Sequence, residues 1–183
     1  MREPPPGWGE DEPIEIRPYD PVWPVRFEAE RALLGRALSA WIEGGIHHVG
    51  STAVPGLAAK PIVDVMVGVH DLAEARGSFG LLAELDYCHA PYRAWMHWFC
   101  KPSPGRRTHH LHLIEPGHPE FAARLAFRDH LRAHPDVAAD YSALKKTLAA
   151  EHREDREAYT EGKSDFIRAA LVGAKASNGN AGT

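Results

Sequence analysis

The chain has 183 residues, enough for one domain with a proper hydrophobic core. Its 44% apolar and 25% charged content is that of an ordinary globular protein. The formal net charge of −4 excludes the broad positive field that attracts long nucleic acid or anionic membranes, while a nucleotide needs only a local basic pocket. Cys88 and Cys100 are too few for a disulfide framework and suit a reducing compartment. With no signal-like leader and no run of about 18 apolar residues, a cytoplasmic protein without membrane attachment is expected. Histidine is the unusual component: there are twelve, several of them bunched.

In chain order, residues 1–13 are rich in proline, glycine and acid and are expected to be mobile. Residues 14–19 (IEIRPY) alternate and predict a short edge strand. Residues 25–42 place Phe27, Leu33, Leu34, Leu38, Trp41 and Ile42 near helical spacing, with Gly44 and Gly45 as the stop. Residues 46–50 (IHHVG) and the valine-rich 61–69 (PIVDVMVGV) read as strands. Residues 71–87 predict a helix capped by Asp71, with a weak point at GSFG. The aromatic 93–101 (RAWMHWFCK) and 108–115 (THHLHLIE) form a hairpin through a basic, proline-containing turn. Three helices follow, the first ending at Pro135, and residues 175–183 are an expected flexible tail. No repeat or linker divides residues 14–174, so a single α/β or α+β domain with a small mixed sheet is expected.

The chemistry centres on Asp64. Alternation puts Ile62, Asp64 and Met66 on one face of their strand and Val63, Val65 and Val67 on the other. Upstream of Asp64, with twelve residues between Ser51 and the aspartate, stand Gly50 and Ser51, a small pair whose amides suit a phosphate, and a carboxylate nearby suits Mg²⁺. Plain turn chemistry, with Asp64 paired to an arginine, explains the same residues. His110 and His112 share one face of strand 108–115, while His109 and Glu115 fall on the other. If the two strands are neighbours, Asp64, His110 and His112 make a two-histidine, one-carboxylate set. Buried hydrogen-bonding histidines are the alternative. Lys60 and Arg107 precede the two strands and form a phosphate clamp if these run in the same sense. Arg128, Arg132, Lys145, Lys146 and Lys163 are interspersed with acids and read as a solvated face.

The blocks IEIRPYDPVWPVRFEAE, HHVGSTAVPGLAAKPIVDVMV, RTHHLHLIEPG, FRDHLRAHPDVAADYSALKK and REAYTEGKSDFI resemble, in order, the GrpB family, over about residues 14–170. The resemblance implies a nucleotidyltransferase-type, polymerase β-like fold, and relatives fused to dephospho-CoA kinase. Val49-Gly50-Ser51 and Asp64 match that superfamily's motif, but its second acid falls at position 66, where this chain has methionine. The resemblance thus implies a protein that binds a nucleotide or other phosphorylated ligand with a divalent metal, Mg or Mn, with Zn as a further choice. Gly50, Ser51 and Thr52 would hold phosphate, Lys60 and Arg107 would neutralise it, and Asp64, as the catalytic carboxylate, would take the metal with His110 and His112. Nucleotidyl transfer would be the reaction. The rival expectations are a non-catalytic, chaperone-like partner domain and a mononuclear metal hydrolase built on the His-x-His pair.

Overall fold

Residues 12–179 are described by the computed structural model of this chain. The predicted first helix forms as α1 (Val22–Ala37), with Trp23, Phe27 and Leu34 buried on one side. It starts ahead of Val25. Pro24 is tolerated there because a first-turn N–H has no partner within the helix. It also ends sooner, and Gly44 and Gly45 are not its stop. Both lie inside strand β1 (Ile42–Val49) with φ of 82° and 89°, where the pairing register shifts between Ile42 and Ile46. They form a bulge, which needs the left-handed backbone that glycine adopts at little cost.

A one-turn 3-10 helix (Ser51–Ala53) leads through a loop to β2 (Val63–Val69). The predicted helix over 71–87 is two pieces, a 3-10 turn (Glu74–Ser78) and α2 (Phe79–Glu84), joined at the expected weak point. Asp71 acts near its start, Oδ1 accepting from the Glu74 amide at 2.8 Å. Strand β3 (Cys88–Ala90) is too short for alternation to reveal it. The hairpin is β4 (His97–Pro102) and β5 (Arg107–Ile114), with β4 starting later than predicted.

Four helices close the chain rather than three: α3 (Pro119–Ala133), α4 (Pro135–Glu151), α5 (Arg156–Glu161) and α6 (Ser164–Gly179). The extra break falls at Gly162, where a Cβ would stand 2.6 Å from Leu148. Helix α6 runs past the boundary expected at 175. Glu12, also expected to be mobile, donates its amide to the Gly105 carbonyl and accepts from Arg156, while residues 1–11 and 180–183 lie outside the described residues. The edge strand expected at 14–19 reduces to one bridge between Arg17 and Ala59. Pro18 has no N–H to extend a ladder, and Ile14 is buried against Leu148, Ala149 and Tyr159 instead. Among the described residues no helix is long and apolar enough to cross a membrane.

The sheet order is β1-β2-β5-β4-β3, parallel between β2 and β5 and antiparallel elsewhere. Val63, Val65, Val67 and Val69 pack with Leu111, Leu113 and Phe99 beneath α1. The opposite face carries Met66, Trp98, Cys100 and Ile114 against Phe121 of α3. One register row on this second face runs Val49, Asp64, His110, Cys100, Cys88 across all five strands. Because β2 and β5 are parallel, their N-terminal ends coincide, which brings Lys60 and Arg107 to the same edge.

Candidate functional site

Asp64 sits where the alternation places it, facing away from the valines. His110 Nδ1 lies 2.9 Å from Asp64 Oδ1, and His112 Nε2 lies 3.7 Å from the same oxygen. One ligand-type atom from each of the three residues falls within 4.8 Å of the other two, a span that a single divalent ion bridges. Burial by itself would raise the Asp64 carboxyl pKa, but the hydrogen bonds from His110 and His112 outweigh it and hold the group well below the usual carboxylate range. Asp64 is therefore ionised at neutral pH.

The two histidines are not equivalent. Arg124 Nη1 lies 3.3 Å from His112 Nδ1, and a guanidinium has only donors to offer. Nδ1 of His112 therefore accepts. Burial, and next the Arg124 charge, push the ring down to about 4, so it is neutral and carries its proton on Nε2, toward Asp64. His110 is lowered too, by burial, against the opposing pull of Asp64. Its Nε2 is buried with no hydrogen-bond partner among the described residues. Because ionised Asp64 only accepts, His110 Nδ1 carries the proton between them, and an ion shared by this pair displaces that proton. His112 joins them only by giving up its Nε2 proton and its bond from Arg124.

Gly50 explains why a glycine precedes the serine. Its backbone lies at φ 70°, ψ −173°, a region open essentially to glycine alone. A Cβ there would stand 2.4 Å from Asp64 Oδ2. The missing side chain makes room for the carboxylate itself.

Ser51 Oγ accepts from Lys145 Nζ at 2.9 Å, and Lys145 also donates to the Ala58 carbonyl. Lys145 is 2% exposed, which corrects its assignment to a solvated face. Tyr141, Lys145 and Leu148 share the buried stripe of α4 at i, i+4 and i+7, a spacing already present in the sequence. Lys163, also assigned to solvent, stands 4.2 Å from the Tyr159 ring centre, with Lys60 at 4.9 Å from the same ring. Burial, followed by the Lys163 charge, lowers Lys60 and Lys145 to about 7. Burial lowers Lys163 to about 8, against the pull of Asp64. Lys60 and Lys163 thus feel the charge of Asp64, and Lys145 that of Lys163.

Arg107 donates from Nε to the Pro104 carbonyl at 2.6 Å and lies 5.4 Å from the Trp98 ring centre. With Lys60 it lines a groove of about 600 Å³ that Arg17, Lys146, Arg153 and Arg156 also border. Arg128 and Arg132, expected in solvent, donate to the carbonyls of His48 and Ala53 and tie α3 to the Gly50–Ala53 turn. Thr52 departs from its expected role. It is 1% exposed, donates to the Ile62 carbonyl at 3.2 Å and accepts from His48 Nε2 at 3.0 Å, so its hydroxyl is used inside the fold and is not offered to a ligand.

The geometry defines an α+β domain whose central strands present an acid and two histidines beside a cationic cleft. A family model described as "GrpB protein" matches residues 13–172, and the chain belongs to the GrpB family. UPF0157 protein YqkA of Bacillus subtilis is 37% identical over 166 residues, covering 88% of this chain. The chain spans 47% of the length of YqkA. A crystal structure of the conserved protein GrpB from Enterococcus faecalis superposes with a TM-score of 0.80 at 32% identity, over 87% of this chain and 96% of that one. A dephospho-CoA kinase of Mycolicibacterium paratuberculosis is 30% identical over 185 residues, covering 85% of this chain and 44% of that protein.

Proposed function

We propose that this protein binds the phosphate groups of a nucleotide-type ligand at the turn and lysine cluster beside Asp64, with one divalent ion held by Asp64 and His110. The observation that carries the reading is the bond from buried Lys145 to Ser51, with Lys60 and Lys163 close by. Buried lysines below their usual pKa are costly unless an anion repays them. A phosphate group supplies the missing negative charge. Ser51 would donate its hydroxyl to a phosphate oxygen, Lys145 would hold that hydroxyl in place, and Lys60, Lys163 and Arg107 would neutralise the rest. A bound divalent ion would neutralise further phosphate oxygens and align them with Asp64.

Binding is the extent of the reading. Two-ion transfer needs more carboxylate oxygens than Asp64 provides, and position 66 supplies a buried methionine. Met66 favours the second reading, a non-catalytic domain serving a partner enzyme. The match to a dephospho-CoA kinase makes that enzyme's substrate a sensible ligand to try. The test is a thermal-shift and calorimetric screen of ATP, dephospho-CoA and inorganic tripolyphosphate, with and without Mg²⁺, Mn²⁺ or Zn²⁺. The expected result is a rise in melting temperature with all three phosphorylated compounds, enlarged by a divalent ion for at least one. The absence of any shift with all three would overturn the reading.

A further inference from the structure

Cys88 and Cys100 face each other directly as register partners on antiparallel strands β3 and β4. In such a ladder, opposed residues have Cα atoms about 4.5 or 5.5 Å apart, depending on the pair type. Either spacing lies within the roughly 4.4–6.8 Å that a disulfide spans. Directly opposed residues also project to the same face of the sheet. Both cysteines pack in the cluster around Met66 and Trp98, which is on the Asp64 face. Accessibility differs between them. Cys100 is 0% exposed, whereas Cys88 is half-buried on the sheet's edge strand, its Sγ 3.6 Å from the Pro102 carbonyl oxygen.

We propose that Cys88 and Cys100 form a reversible dithiol–disulfide pair, oxidised by a low-molecular-weight disulfide of the glutathione type. Cys88, at the edge, loses its thiol proton and attacks one sulfur of the oxidant, expelling one glutathione thiolate. Cys100, across the ladder, then attacks the Cys88 sulfur of the mixed disulfide and expels the second. The protein gives up two protons and two electrons, and the oxidant becomes two glutathione thiols. The bridge fastens the three-residue edge strand β3 to β4. It lies in the same register row as His110 and Asp64, so the strand beside the candidate site is the one held.

The test uses the full chain, reduced and then equilibrated with graded ratios of oxidised to reduced glutathione. Trypsin cuts after Arg93, between the two cysteines, so the bridge is read by mass spectrometry as two linked peptides. The expected result is an intramolecular link that dithiothreitol reverses, a higher melting temperature for the bridged form, and neither effect in Cys88→Ser. Four outcomes would overturn the proposal: both cysteines persisting as thiols, Cys88 stopping at the glutathione adduct while Cys100 stays reduced, sulfur bonds forming only between molecules, or a bridged form that melts below the reduced one.

Discussion

His110 Nδ1 reaches Asp64 Oδ1 across 2.9 Å from the same register position of the neighbouring parallel strand. An aspartate in a strand interior is expensive unless it is paired, and here the pairing group is one strand away rather than close in sequence. An ion taking the same pair would displace the proton that His110 Nδ1 donates to the carboxylate. Asp64→Asn retains the shape and removes the charge. Mn²⁺ affinity should fall by about tenfold or more, because a hard cation depends on ligand charge. Tripolyphosphate binding without metal should persist, since the lysines remain. Calorimetric titration of both ligands into wild type and variant checks this.

Gly50→Ala tests the close approach. The backbone conformation at Gly50 is strained for any side chain, and the added Cβ meets the carboxylate. The loss should be about 2–4 kcal/mol, combining the conformational cost with displacement of Asp64. Urea melts of the two proteins measure it.

Met66→Asp places an acid two residues from Asp64, on the same face. Met66 is 0% exposed and packs with Val49, Trp98, Ile114 and Phe121. The new carboxylate therefore enters a filled interior, and stability should fall by about 3 kcal/mol or more. Mn²⁺ affinity should not rise. A stable variant with tighter Mn²⁺ binding would mean that the face opens to solvent.

Lys145→Met separates binding from folding. The methionine side chain is of similar length and leaves an apolar group among Tyr141 and its neighbours. Losing the buried charge is favourable, while the Ala58 carbonyl loses a donor at a cost of about 1–3 kcal/mol. The net change in stability should stay within about 2 kcal/mol. Tripolyphosphate affinity should drop about tenfold, as expected for loss of a charged hydrogen bond. Parallel urea melts and titrations check both halves.

The lysine cluster also sets a pH dependence. Lys145 is lowered to about 7 in the folded protein, against an ordinary value of 10.5. Between those values the unfolded chain binds more protons than the folded one, so the stability of the ligand-free protein rises with pH in that window. Below pH 7 both states are protonated and the full cost of the buried charge remains. From pH 7 to about 8.5 the gain from Lys145 is on the order of 1 kcal/mol. Phosphate affinity should move the opposite way, falling as Lys60, Lys145 and Lys163 lose their protons. Urea melts and tripolyphosphate titrations at matched ionic strength would show the two opposed trends.

Local rules accounted for much of the site. The alternation of Val63, Val65 and Val67 against Asp64, and of Leu111 and Leu113 against His110 and His112, sorted the sheet face under α1 from the face that carries the acid and the histidines, because side-chain direction in a strand depends on the strand alone. The apolar spacing of α1, the proline break at Pro135 and the GrpB resemblance were legible for the same reason: each is written in neighbouring residues. Tertiary structure decided the rest. Whether Asp64 meets His110 depends on β2 and β5 being parallel neighbours in one register, a matter of chain crossover. Gly44 and Gly45 suit a helix stop and a bulge equally well, and only the pairing of β1 with β2 selects the bulge. Thr52 is a polar residue that the sequence alone leaves available, but the packing of His48 and Ile62 around it takes its hydroxyl out of reach. Lys145 carried a faint local mark in the apolar stripe of α4. Its partners, Ser51 and the Ala58 carbonyl, lie nearly a hundred residues away along the chain, and burying a lysine becomes tolerable only when the fold brings such partners to it.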